Sequence, residues 1–424
     1  MISLRRRRAA CILCAIGLAA LALANLSETA SAQSKNKPPR WKVDPYTKND
    51  PELIERAGYV SYGPFDFGGV GADAVTTDQI EKSLPYVQIL WIETPHFKIG
   101  INLPTYPVPV DLSTRKKVRA ELERLAAKIP GINPKTRRLD PWLRAHLFAQ
   151  RAEDVYAEFC DLAGVTDDDF PQDPDKLFLT EDAVYMGFGP YLGMKRKYLL
   201  LLFDRAGPFE QYMQGYLGRK SRFGQRWHFK DRSSLIYTVA TECDDGRLKD
   251  DTALHGNVAF NISQNLLDGF RYYSYELPVW MREGLAHWFE RRVSPKSNSF
   301  DQTEGSPADL RKTWKWEPYT RKLLANGKFA PFVTAYTWRD FGNITFNDHV
   351  ALWSRMDFMM SLGKGKWRTF LFEVKGRVNP EDWSPDQRDL VGATRQAIQK
   401  AYGFSVLQFD DKWAAWVKKN YATQ

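Results

Sequence analysis

The chain has 424 residues, 60 Lys and Arg against 51 Asp and Glu, and a net charge of +9. That mild excess, spread over short basic runs such as Lys195-Arg196-Lys197, lacks the concentrated basic stripe that nucleic acid binding leaves, so nucleic acid is excluded as a partner. A chain of this length can bury a large core, and after the first 32 residues no apolar run approaches membrane-spanning length.

The N-terminus carries Arg5 to Arg8, an apolar stretch from Ala9 to Leu26, and small residues at Ala30-Ser31-Ala32. This is the pattern of a cleaved signal peptide over residues 1–32, so the expectation is an exported protein, periplasmic or extracellular, with no membrane span after cleavage. Cleavage removes four arginines, one glutamate, Cys11 and Cys14. Cys160 and Cys243 remain, either as a disulfide in an oxidising compartment or as two separate thiols.

Residues 33–90 are rich in Pro, Gly, Asp and Tyr without sustained periodicity, and predict an irregular, partly strand-forming extension. Strands are expected at Val87–Trp91 and His96–Gly100. Ser113 opens a helix with Val118, Leu122, Leu125 and Ile129 at helical spacing. Asp140-Pro141 starts another, in the favoured order of cap and then proline. The apolar runs Tyr198–Phe203 and Ser234–Ala240 predict buried strands. Helices follow near 251–268, 278–292, 308–324, 349–362, 387–402 and 405–421. The order predicts an α+β fold: a lobe over 91–292, then a helical C-terminal lobe over 293–424.

The most informative segment is Leu277-Pro-Val-Trp280-Met-Arg-Glu283-Gly284-Leu285-Ala286-His287. It resembles the third-ligand helix of gluzincin-type zinc metallopeptidases, where a Pro-Trp pair precedes Glu-Gly-Leu-Ala. Weaker likenesses lie at His349–Met360, Trp367–Leu371 and Tyr402–Trp413, so the resemblance spans roughly residues 95–424. It implies a small sheet packed on two motif helices, with Ser234–Ala240 as the strand edging the site. It also implies a His-Glu-x-x-His helix upstream, whose histidines share one face and whose Glu activates a metal-bound water. Counting back from Glu283 by the family's spacing reaches Asn261-Ile262-Ser263-Gln264-Asn265. Both ligand positions are then Asn and the general base position is Ile262.

Zinc favours imidazole, thiolate or carboxylate over a neutral amide, so no metal and no other cofactor are expected in this register, and no catalytic residue is assigned. A wrong register would restore zinc as the expectation. Asn257, Asn261 and Asn265 recur every fourth position although Asn is a poor helix former. The expectation is a remnant cleft of Asn261, Ile262, Asn265, Glu283 and His287, with the Asn stripe turned toward Glu283 to satisfy its carboxylate. The stripe facing solvent is the plainer alternative. His255 lies nearly three turns before Asn265, too far to join Glu283 and His287 in a rearranged site.

The leading expectation is therefore an exported pseudo-peptidase that binds a protein, peptide or envelope ligand without cutting it. Two rivals stand beside it. One is an active metallopeptidase with unusual ligands. The other is an envelope- or carbohydrate-binding protein using aromatic clusters such as Trp314-Lys-Trp316 and Tyr336-Thr-Trp338. Cysteine-nucleophile chemistry lacks a recognisable motif.

Overall fold

Apolar runs place the sheet, and polar caps place the helices around it. The computed structural model describes residues 38–70, 74–173, 185–300, 313–342, 344–379, 381 and 384–423. The expected signal peptide and the start of the expected 308–324 helix lie outside the described residues. Two units separate: Met1–Val43, whose described part forms a short turn at Arg40–Lys42, and Asp44–Gln424, which holds the fold.

The stretch expected to be irregular contains two short helices, α1 (Pro51–Arg56) and α2 (Thr77–Ser83). Each is set by its cap: Asp50 accepts from Glu52 and Leu53 N–H, and Thr76 forms a reciprocal box with Gln79. Too short for periodicity, they are legible only through those caps. Strands β1 (Leu90–Glu93), β2 (Phe97–Asn102) and β3 (Tyr106–Pro107) lead into α3 (Leu112–Lys128), capped by Asp111. The short β4 (Arg138–Leu139) precedes α4 (Pro141–Ala163), where Asp140 caps and Pro141 occupies the first turn as expected.

Next come β5 (Tyr198–Phe203), α5 (Ala206–Leu217), β6 (Gln225–Phe229) and β7 (Ser234–Ala240). The main sheet has the order β1-β2-β5-β7-β6. β2, β5 and β7 run parallel, with β1 and β6 antiparallel at the edges. Every residue of β5 and β7 is buried, which explains their unbroken apolar sequences. Ser234–Ala240 is thus an interior strand. The edge belongs to Gln225–Phe229, which sequence reasoning missed because its polar side chains are only half-buried.

Helices α6 (Asp251–Gly269) and α7 (Val279–Val293) follow and pack against each other. The C-terminal region is helical: α8 (Trp316–Asn326), α9 (Phe332–Ala335), α10 (Phe346–Ser361), α11 (Lys364–Lys375), α12 (Leu390–Tyr402) and α13 (Phe409–Asn420). The fold class is the α+β expected. Within the unit Asp44–Gln424, α10 packs along α7. Among the described residues no helix is long and apolar enough to cross a membrane.

Lys375 ties the end of α6 to α11. Its Nζ donates to the carbonyls of Asp268 (3.0 Å) and Tyr272 (2.6 Å), and burial pushes the amine down to about 7. Between pH 7 and its ordinary range the unfolded chain holds a proton that the folded chain sheds. Stability therefore rises with pH in that window, by up to about 1.4 kcal/mol per unit from this group. Urea unfolding of Lys375→Met at pH 7 and pH 9 should show this slope flattened; an unchanged slope would contradict the assignment.

Candidate functional site

α6 is capped by Asp250, whose side chain accepts from Ala253 N–H, and it packs against β7, next to β6 in the sheet. Between α6 and β6 lies a cleft of about 350 Å³, lined by Gln225, Arg226 and Trp227 of β6 and by Asn257, Asn261, Gln264 and Asn265 of α6. Asn257 accepts from the Tyr237 hydroxyl and donates to Ser299 Oγ at 3.0 Å. Asn261 donates back to the Asn257 carbonyl at 2.9 Å. Asn265 is buried, and its Oδ1 finds no donor among the described residues. The Asn stripe thus lines the cleft.

The residue of α6 that reaches Glu283 is Gln264, whose Nε2 donates to Glu283 Oε1 at 3.2 Å. One turn earlier, Phe260 lies against His287, with ring centroids 5.0 Å apart. The facing positions are therefore 260 and 264, one residue before the expected 261 and 265. A helix turns about 100° per residue, so that single step moves the Asn side chains from the helix interface into the cleft. Ile262 points into the core, 2% exposed.

Neither register offers zinc a donor pair from α6. One presents two amides and the other a phenyl ring and an amide. The position after the first facing residue is Ile262 or Asn261, so no carboxylate stands where a metal-bound water would need its base. Zinc at the family's position does not fit these residues.

Behind Phe260 and Gln264 a different cluster forms, which sequence reasoning missed. His349, on α10, meets His287 with Nδ1 to Nε2 at 3.1 Å. Glu283 Oε2 lies 3.7 Å from His287 Nε2 and 3.6 Å from His349 Nδ1. On its other side His287 Nδ1 is 3.4 Å from Glu290 Oε2, which accepts Ser299 N–H at 2.9 Å. All four side chains are enclosed, with Phe260, Phe300 and Trp316 around the imidazoles. Burial holds both histidines well below their ordinary range, and pushes Glu290 up to about 7. The close approach of α7 and α10 depends on Gly284, where an added Cβ would come within 3.0 Å of the Leu352 carbonyl oxygen. The glycine of the Glu-Gly-Leu-Ala segment therefore serves helix packing.

The cleft lining carries its own ion pairs. Asp268 holds Arg226 at 3.0 Å and Arg282 at 3.3 Å. His228 of β6 stacks on Tyr273 at 3.7 Å, and burial pushes it down to about 4, so it is neutral at ordinary pH.

His255 turns to Glu121 at 3.8 Å in a separate cavity, in keeping with its exclusion from the site. Cys160 and Cys243 are free thiols, one in the last turn of α4 and the other just after β7. Trp316 is fully buried, so it cannot stack on a sugar. Compared with protein-family models, curated proteins and solved structures, the chain matches none.

Proposed function

We propose that this chain is an exported, non-hydrolytic relative of gluzincin-type metallopeptidases that binds an extended peptide between β6 and α6. The observation that carries the reading is the cleft itself. β6 is an edge strand, paired with β7 alone among the described residues, and its Gln225, Arg226 and Trp227 line the cleft. An edge strand offers main-chain hydrogen bonds to a second extended chain, and side-chain pockets then add selectivity. Across the groove, Asn257, Asn261 and Asn265 supply neutral amides that can both donate to and accept from a peptide backbone. Trp227, Tyr273 and Tyr275 add aromatic surface for apolar side chains.

The Glu283 segment supports descent from a peptidase, and the amide or apolar residues at 261 and 262 support loss of hydrolysis. The immobilised chain should retain a subset of peptides from a tryptic digest of denatured protein. Asn261→Trp, which fills the groove, should reduce retention about tenfold or more, a loss of at least ~1.4 kcal/mol. Equal retention by both forms would remove the cleft from the account. Retention of glycans but no peptides would favour the carbohydrate-binding alternative.

A further inference from the structure

We propose that Glu283, His287 and His349 form a buried structural site for a divalent ion of the zinc class, pinning α7 to α10. The three ligand atoms, Glu283 Oε2, His287 Nε2 and His349 Nδ1, lie within 4.8 Å of one another. Their separations are 3.1, 3.6 and 3.7 Å. Ligands bonded at about 2.0–2.1 Å in a tetrahedron stand roughly 3.3–3.4 Å apart, so one ion fits among these atoms with only small adjustments. Two imidazoles and a carboxylate are donors of the type zinc favours, unlike the amides of α6.

The surroundings match a metal site more closely than a polar accident in an apolar core. His287 sets its second nitrogen toward Glu290 Oε2, 3.4 Å away, while Nε2 faces His349 and Glu283. Glu290 is in turn held by Ser299 N–H. Gln264 donates to the other Glu283 oxygen, leaving Oε2 as the single oxygen turned to the ion. The fourth position falls to a water or to the Gln264 amide oxygen, which finds no hydrogen bond among the described residues.

This set differs from the one the resemblance implies. It keeps Glu283 but takes both histidines from positions outside the motif helix α6. Phe260 and Gln264 separate it from the cleft, so the role is structural and independent of peptide binding.

The test uses the full chain purified without immobilised metal, stripped with chelator, loaded with zinc sulfate and dialysed. Elemental analysis should find about one zinc per chain in the native protein and in Asn261→Ala, and less than about a tenth of that in His349→Gln. Because His349→Gln could loosen the core, cobalt(II) loading of the native chain gives a second reading. It should yield the intense visible absorption of a tetrahedral nitrogen-oxygen site. Native protein that retains no zinc and shows no such band overturns the proposal. So does His349→Gln that retains zinc at the native level.

Discussion

Replacing Asp251 with alanine is expected to cost about 3–5 kcal/mol of folding stability, enough to consume much of what a domain has. Asp251 sits in the first turn of α6 and is 2% exposed. Its Oδ1 accepts from Arg144 Nε at 3.2 Å and Nη2 at 2.9 Å, and its Oδ2 accepts from Arg151 Nη1 at 2.9 Å. Both arginines are buried on α4. Arg151 would keep Glu121 of α3, at 2.8 and 3.0 Å. Arg144 would keep only the Pro104 carbonyl at 2.9 Å, and so would remain a charge without a counter-charge in the interior. The helix dipole also favours a carboxylate at this end of α6, a smaller contribution. Urea unfolding measures the loss. The double variant Asp251→Ala, Arg144→Met should recover part of it, since the orphaned charge is then gone. A loss below about 1 kcal/mol in the single variant would mean that water reaches Arg144 and that the network does not anchor α6.

The second large effect belongs to Trp280, from the Pro-Trp pair ahead of Glu283. It is fully buried, with Phe332 at 5.1 Å and Phe370 at 5.9 Å between ring centroids. Trp280→Ala should cost about 3–5 kcal/mol through lost transfer energy and the cavity left between α7, α9 and α11. Trp280→Phe should cost less than about 2 kcal/mol. It keeps an aromatic ring against Phe332 and removes an indole N–H that finds no acceptor among the described residues. Denaturant midpoints of the two variants settle the comparison. If phenylalanine proved as damaging as alanine, the indole N–H would have a partner unaccounted for here.

These two residues show which parts of the molecule could be read beforehand. Trp280 and Glu283 lie in one short segment, and its resemblance to the third-ligand helix of gluzincins implied a buried helix facing α6. β5 and β7 declared themselves by unbroken apolar runs, and α4 by Asp140 and Pro141. Asp251 gave no such signal, because its partners lie 107 and 100 residues away on α4. His349 was hidden for the same reason: it joins His287 across 62 residues, and no local spacing encodes the approach of α10 to α7. β6 escaped notice because an edge strand bordering a cleft keeps polar side chains and breaks the alternation that marks a half-buried strand. The Asn stripe was visible, but its direction was not. A one-residue error in register rotated it from the cleft onto Glu283, while Gln264 fills that role in the structure.

The free state of Cys160 and Cys243 follows from topology as well. One is carried by the last turn of α4, the other by the turn leaving β7. Burial pushes both thiols above their ordinary range, to about 12 for Cys160 and about 11 for Cys243, so neither is an activated nucleophile.

The central claim is that the cleft between β6 and α6 holds a peptide and does not cut it. Its most direct test is mass spectrometry of a defined peptide library after prolonged incubation with zinc-loaded native protein, with bound and unbound fractions analysed separately. The account predicts that peptides recovered from the protein keep their original masses, with no new internal termini in either fraction. New termini that accumulate with native protein and disappear in Asn261→Trp, which fills the cleft, would contradict it and identify an active peptidase.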